Sequence, residues 1–345
     1  MVVVGAGVSG LLTALECALA GHRVTVLDRG PIPNPAAGSY DQHRVMRVFV
    51  PDDPVATGQR LAAHHRWLEL ETLLGTAFYR RVGVLTGWPR ERVAQVSAQA
   101  AAAGVPLREA EPAQLAQLEL PAGVVGLREP VAGVLLAQRV LRAAARWLAG
   151  HGAVTLRPGC AVTGVDTERA AVVLADGERL GADLVLVAAG AWGRDLVAHP
   201  VVLHRQTMLY LWPPEQLLRW WRGAPAAGGL GADGRAWAVP PGDGTFLKIS
   251  SDAVRREVAD ARSEAESQAP WVEQLLGAAV LAGMDRYRVA AVKACHYVTD
   301  AATGGALLTR VGPAVWSRAA CGGSGFGTAP LVAREIVDAL RERAA

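Results

Sequence analysis

The chain opens on the β-branched run Val2-Val3-Val4, a glycine-rich turn, and then Leu11, Leu12, Leu15, Ala18 and Leu19 recurring at helical spacing. Gly21-His22 stops that helix, and residues 23–27 read as a second strand ending at Asp28. This is a compact strand–turn–helix–strand unit. Residues 31–40 are loop by their Pro, Asn and Gly content, and 52–66 open another helix. Further on, the pattern predicts a strand over 82–86, helices over 91–103 and 135–149, and strands at 154–156 and 162–165. Asp176-Gly177, between 172–174 and 184–188, carries the residues of a tight hairpin turn. Residues 201–212 and 245–249 read as strands of another sheet, and 255–281 as helix interrupted at Pro270. Strands at 289–294 and 314–320, a glycine-rich turn and a helix from about Pro330 close the chain. No internal repeat or low-complexity linker breaks the alternation.

A chain of 345 residues exceeds one ordinary small core, so two joined domains are expected, with pieces of an α/β domain separated in sequence. Apolar residues make up 51% and charged residues 19%, which predicts a folded chain rather than a disordered one. The net charge of +3 is spread without a basic run, against a nucleic-acid partner. No apolar stretch approaches the roughly 20 residues of a membrane helix. The start lacks the basic region of a secretion signal, so a cytoplasmic location is expected. Cys17, Cys160, Cys295 and Cys321 lie far apart without a CxxC pair, which predicts neither a disulfide framework nor a metal site. Of 35 basic side chains only Lys248 and Lys293 are lysine, so each asks for its own explanation.

Gly5-Ala6-Gly7-Val8-Ser9-Gly10 fits G-x-G-x-x-G directly after a strand and at the opening of a helix. The first glycine permits the tight turn, the second lets a pyrophosphate approach the backbone, and the third allows helix to pack on strand. The helix N-terminus then offers free N–H groups to phosphate. Asp28 ends the second strand, where an acid can accept from a ribose hydroxyl. Hexapeptide, context and terminal acid predict a dinucleotide without saying which.

Several stretches resemble the monomeric sarcosine oxidase and N-methyltryptophan oxidase family, within the D-amino-acid oxidase superfamily. Residues 38–47 (Gly-Ser-Tyr-Asp-Gln-His-Arg-Val-Met-Arg) resemble that family's loop beneath the flavin, with its Arg-x-x-Arg pair at Arg44 and Arg47. Residues 81–85, 129–135, Ala188-Ala189-Gly190-Ala191-Trp192, His204-Arg205-Gln206, Lys248, Cys295-His296-Tyr297 and 322–327 follow in the family's order, so the resemblance covers essentially the whole chain. It implies FAD, held by Gly5, Gly7, Ser9, Gly10, Asp28, Arg29, Ser39, Arg44, Gly190, Trp192, Gly323, Gly325 and Gly327, with Cys295 where relatives link the flavin through a thioether. It implies a Rossmann-type α/β FAD domain (1–80, 135–200, 286–345) interleaved with an α+β antiparallel-sheet substrate domain (81–134, 201–285).

The resemblance also implies catalytic roles for Lys248, as the lysine that activates oxygen, and for Arg44 and Arg47. Lys248 lies in an apolar strand, where a charge is costly unless used or satisfied. Lys293, two residues before Cys295, shares its face of a strand and would favour the thiolate. Substrate contacts fall to Arg47, Tyr40 and Trp237. Two family positions differ: Ala329 replaces a carboxylate-binding lysine and Asp252 a histidine, so sarcosine is an unpromising substrate. Trp212, Trp220, Trp221 and Trp237 are candidates for a flat wall, and His43, Tyr40 and His204 for the group that keeps the amine neutral.

The function implied is an oxidase that takes a small-molecule secondary, cyclic or amino-acid-like amine to an imine by hydride transfer to flavin N5, with O2 reduced to H2O2. A dehydrogenase passing electrons to a quinone or protein, an NAD-dependent dehydrogenase, and a non-catalytic flavin-fold binding protein are the alternatives. A monomer is compatible with everything in the sequence.

Overall fold

The computed structural model describes residues 1–261 and 268–344. Its first sheet has six strands in the order Ala306–Gly312, Val315–Cys321, Val185–Val187, Val2–Val4, Val24–Leu27 and Val154–Arg157. All pairings are parallel except the edge hairpin made by the first two. Val2–Val4 and Val185–Val187 are apolar at every position and buried throughout, as central parallel strands covered on both faces must be. Helix Val8–Leu19 returns from the first strand and packs between Ala137–Ala149 and Ala329–Ala344. From Val2–Val4 the sheet grows first to one side and later to the other. The C-terminal ends of Val2–Val4 and Val185–Val187 therefore part at a topological switch point, where open α/β sheets leave a crevice.

The second sheet has nine strands. Val201–Trp212 is its longest member but one, and Arg288–Asp300 pairs with it along its whole length. Its other edge takes Leu247–Ser251 and Arg255–Glu257, and the sheet continues through Ala236–Val239, Ala226–Leu230, Val84–Pro89, Val124–Glu129 and Arg108–Glu109. A three-stranded sheet of Arg44–Met46, Gly133–Leu135 and Tyr79–Arg80 carries the loop that ends at Arg47.

Four expectations change. Residues 255–281 are not one helix: Arg255–Glu257 is a strand alternating exposed and half-buried positions, Ala269–Gly277 is the helix, and 262–267 lie outside the described residues. The Asp176-Gly177 hairpin is real, but its second arm is Arg179–Gly181, because the apolar Val185–Val187 is drawn into the buried parallel sheet. A boundary at 286 does not follow the sheets, since Arg288–Asp300 is built into the second one. Helix Pro54–Leu73 starts later and runs longer than 52–66, with the Asp53 carboxylate accepting from Ala56 N–H at 2.8 Å as its cap.

Candidate active site

A cavity of about 860 Å³ runs from the switch point of the first sheet to the inner face of the second. At the switch point Gly5 takes φ +101°, a conformation that glycine adopts freely. A Cβ on Gly10 would overlap the Gly5 carbonyl oxygen, and one on Gly5 would lie 2.6 Å from that of Ala188. Helix, turn and second strand end meet here at backbone distance. Gly5, Gly7 and Ser9 line the cavity, whereas Gly10 serves the packing behind it. Ser39 also lines it, its hydroxyl accepting from Val8 N–H at 3.2 Å.

The Asp28 carboxylate is buried and organises this turn. Oδ2 accepts from Ala6 N–H at 2.9 Å, and Oδ1 from Gly30 N–H at 2.9 Å and Asn34 Nδ2 at 2.7 Å. Of about four lone-pair sites on a carboxylate, that leaves one for a ribose hydroxyl. Arg29 stacks over the Trp192 ring at 4.0 Å, and both face the cavity with Gly190. Among the described residues the Trp192 indole N–H and Arg318 Nε are buried on this wall without a partner, donors in want of the acceptors a dinucleotide carries.

The C-terminal turn closes the same wall. Gly323, Gly325 and Gly327 line it, and a Cβ on Gly325 would lie 2.6 Å from that of Cys321. The turn is tied to helix Pro54–Leu73 by Trp67, which donates to the Gly327 carbonyl at 2.8 Å and stacks on Phe326 at 5.7 Å. Backbone glycines, unpaired donors and a helix N-terminus together fit FAD.

The far end is built from charged side chains. Lys248, in the strand Leu247–Ser251, is 2% exposed, and its Nζ donates to Asp41 Oδ2 at 3.0 Å and to the His43 carbonyl at 2.6 Å. Burial pushes its pKa well below that of an ordinary lysine, the Arg44 charge adds to the shift, and Cys295 opposes it. Asp41 went unnoticed in the sequence. It is 1% exposed and also accepts from Tyr210 Oη at 2.5 Å, Gln42 N–H at 2.6 Å and Arg44. Arg44 further donates to the Gly38 carbonyl at 2.7 Å and lies 3.9 Å from Cys295 Sγ. Arg44 thus joins Lys293 as a cation near the sulfur. Lys293 lies off the wall and donates to the Tyr40 carbonyl at 2.5 Å.

Several expected contacts fall elsewhere. Tyr40 is not on the wall, its hydroxyl accepting from Arg142 at 3.0 Å. His43 is fully buried behind it, with Nε2 donating to the Phe246 carbonyl at 2.9 Å. His204 pairs with Thr299 at 2.9 Å, also off the wall. No candidate for the amine's base reaches the cavity. Of the four tryptophans only Trp237 lines it, 5.7 Å from Lys248 Nζ; Trp221 is core, Trp220 donates to the Ala113 carbonyl, and Trp212 is surface. Ala329 is fully buried in the core, so no side chain there would reach substrate without rearrangement. Asp252 and Arg47 line the cavity, and so does Arg60, which no sequence motif singled out.

Among the described residues no group of three His, Cys, Asp or Glu side chains could hold a metal, and no helix is long and apolar enough to cross a membrane. The family model described as FAD dependent oxidoreductase (DAO) matches residues 1–339. Peroxisomal sarcosine oxidase of Mus musculus is 27% identical over 214 residues, 58% of this chain and 52% of that protein. The Homo sapiens protein of the same name is 28% identical over 210 residues, 57% and 51% of the two chains. The chain thus spans about half the length of the curated relatives it matches. Fructosyl amine:oxygen oxidoreductase (Amadoriase I) from Aspergillus fumigatus shares the fold with a TM-score of 0.77 at 18% identity, covering 99% of this chain and 86% of that one. NikD, an amino acid oxidase of nikkomycin biosynthesis, does so with a TM-score of 0.77 at 19% identity, covering 98% and 92%.

Proposed function

The chain belongs to the DAO family of FAD-dependent oxidoreductases, and on that premise we propose that it is an oxidase of secondary, cyclic or amino-acid-like amines, using O2 as electron acceptor. The chemistry supplied by bound FAD is acceptance of a hydride from the carbon beside the amine nitrogen, and return of the two electrons to O2 as H2O2. The residues of the switch-point turn and of 322–327 hold the cofactor, and Cys295 is the site of its covalent link.

The observation that carries the oxidase reading is Lys248: a lysine 2% exposed, on the cavity wall, in a chain with only two lysines. Arg44 and Lys248 share the single Asp41 carboxylate, two cationic partners to one acid. A fixed positive surplus in a desolvated wall stabilises negative charge developing on dioxygen without reorganisation. Asp41 fixes the ammonium in place. The same surplus disfavours a substrate ammonium relative to the free amine, which takes over the task assigned to His43, Tyr40 or His204.

The test is anaerobic mixing of the yellow protein with a panel of secondary, cyclic and amino-acid amines, followed by oxygenated buffer. Bleaching by at least one amine, with rapid recovery and H2O2 on oxygenation, is expected. Bleaching that oxygen reverses only slowly would favour the dehydrogenase, and flavin that no amine bleaches would sink the amine reading.

A further inference from the structure

We infer that Asp41 is the positioning residue of Lys248: its carboxylate keeps the buried lysine an ammonium and leaves one N–H of that ammonium to the cavity. Resting on the oxidase reading, the pair then fixes the pH range over which reduced flavin and O2 react fast.

Lys248 and Tyr210 are cross-strand partners, one from Leu247–Ser251 and the other from Val201–Trp212, so their side chains leave the sheet on the same face. Both end on Asp41, which is 1% exposed and lies behind the wall that Lys248 lines. Tyr210 Oη and Gln42 N–H donate to Oδ1 at 2.5 and 2.6 Å, and Lys248 and Arg44 donate to Oδ2. Four donors meet about four lone-pair sites, and every contact runs into the carboxylate. That is the pattern of an ionised acid, with no acceptor set aside for a proton of its own. An ammonium has three N–H donors, and Asp41 and the His43 carbonyl take two of those on Lys248. Among the described residues the third has no acceptor, and Nζ stands 5.7 Å from the ring of Trp237, a wall residue. The free donor is thus left to the cavity.

Most of the surroundings favour the neutral amine. Lys248 is enclosed, and the charges of Arg44, which shares its acid, and of Lys293, from Arg288–Asp300, push the same way. His43 is neutral and lends a carbonyl rather than a charge. Burial pushes the pKa of the Tyr210 hydroxyl up, so it donates without carrying charge. Cys295 favours the ammonium only as a thiolate, and a cysteine joined to flavin as a thioether has no such charge. Of these neighbours Asp41, at 3.0 Å, is then the anion that remains to hold Lys248 charged. Without it, an ammonium in that enclosure is too costly to keep.

Lys248 and Lys293 are the only lysines, so protein grown on carbon-labelled lysine has two Cε resonances, and Lys293→Arg leaves that of Lys248 alone. Titrated in the FAD-loaded protein, Lys248 should be an ammonium at neutral pH. Asp41→Asn should lower its midpoint by about one to three pH units, the effect of an opposite charge at this distance. Asp41→Glu should restore part of the loss, which an acid of purely structural use would not do. Stopped-flow reoxidation of chemically reduced protein should slow as pH rises through the same midpoint, and that profile should move with the midpoint in each variant. An unmoved midpoint in Asp41→Asn would overturn the proposal. So would a wild-type Lys248 that is an amine at neutral pH, a result that needs no variant to fold. If the midpoint moves and reoxidation ignores it, Asp41 holds the lysine as inferred, and the oxygen role of Lys248 is what fails.

Discussion

At the switch point the cavity is walled by backbone: Gly5, Gly7 and the Ala188 carbonyl set its shape, and a side chain at Gly10 or Gly325 would collide with the chain itself. At the far end it is walled by the side chains of Arg44, Arg47, Arg60, Trp237 and Lys248, of which Arg44 and Lys248 are held by ion pairs to Asp41 behind the wall. The shape of the first end is set by chain-on-chain contacts. The second rests on a buried ion pair, so a change at one of its residues acts on the others as well. A family with one cofactor and many substrates has use for both properties.

The largest effect that would sharpen this contrast is Gly10→Ala. The methyl would overlap the Gly5 carbonyl oxygen, which cannot yield without opening the turn. Loss of flavin and of about 3 kcal/mol or more of stability is expected, read as absorbance at constant protein and as a Tm. A variant that stays yellow and stable would mean the cradle is softer than its backbone contacts imply.

Lys248→Met should act at the other end alone. Flavin content and anaerobic reduction by amine are expected to hold, while reoxidation by O2 slows by about one to three orders of magnitude, since removing a preorganised charge costs about 3 kcal/mol. Stopped-flow mixing of reduced variant with oxygenated buffer measures it. An unchanged rate would reduce Lys248 to half of a structural ion pair with Asp41.

A smaller effect comes from pH. Burial, and then the charge of Lys248, hold the His43 pKa well below its ordinary value, so His43 is neutral in the folded state. Its contribution is present above the unfolded-state value of about 6.5 and is lost as pH falls below it, by about 1.4 kcal/mol per unit. Burial also lowers the pKa of His64, His204 and His296, so denaturant midpoints should fall along the summed slope, and His43→Gln, which can still donate to Phe246, should reduce it by one histidine's share. A variant with the wild-type slope would place the acid sensitivity in those other histidines.

Cys295→Ala is expected to leave stability nearly untouched, because the half-buried sulfur makes only weak contacts of 3.6–3.9 Å. Its effect should appear in acid precipitation: yellow pellet for the wild type, flavin in the supernatant for the variant. Flavin released equally by both would end the covalent proposal.

How far the sequence could be read follows the same division. Gly5, Gly10 and Asp28 were legible because a backbone demand leaves a residue-type signature at fixed spacing. Lys248 stood out through the cost of a charge in an apolar strand. Arg60 and Asp41 left no such mark: an arginine on a charged helix and an aspartate in a polar loop look ordinary until the fold sets one near Arg47 and the other against Lys248. Arg255–Glu257 was read as helix because pairing with Val201–Trp212, roughly 50 residues away, decides a stretch whose local pattern is indifferent.

The tie between Trp67 and Gly327, 260 positions apart, has a consequence for how the molecule is made. A nascent chain releases its first strand–turn–helix unit long before the turn that completes the wall, and ribosomes add about 5–20 residues per second. The hexapeptide motif therefore waits ten seconds or more beside an unfinished crevice. Contacts of such sequence separation form late and slowly. Tight cofactor capture belongs to the last stage of folding, and a cell short of flavin would accumulate the chain one step before completion, where ligand linkage has yet to add its share of stability.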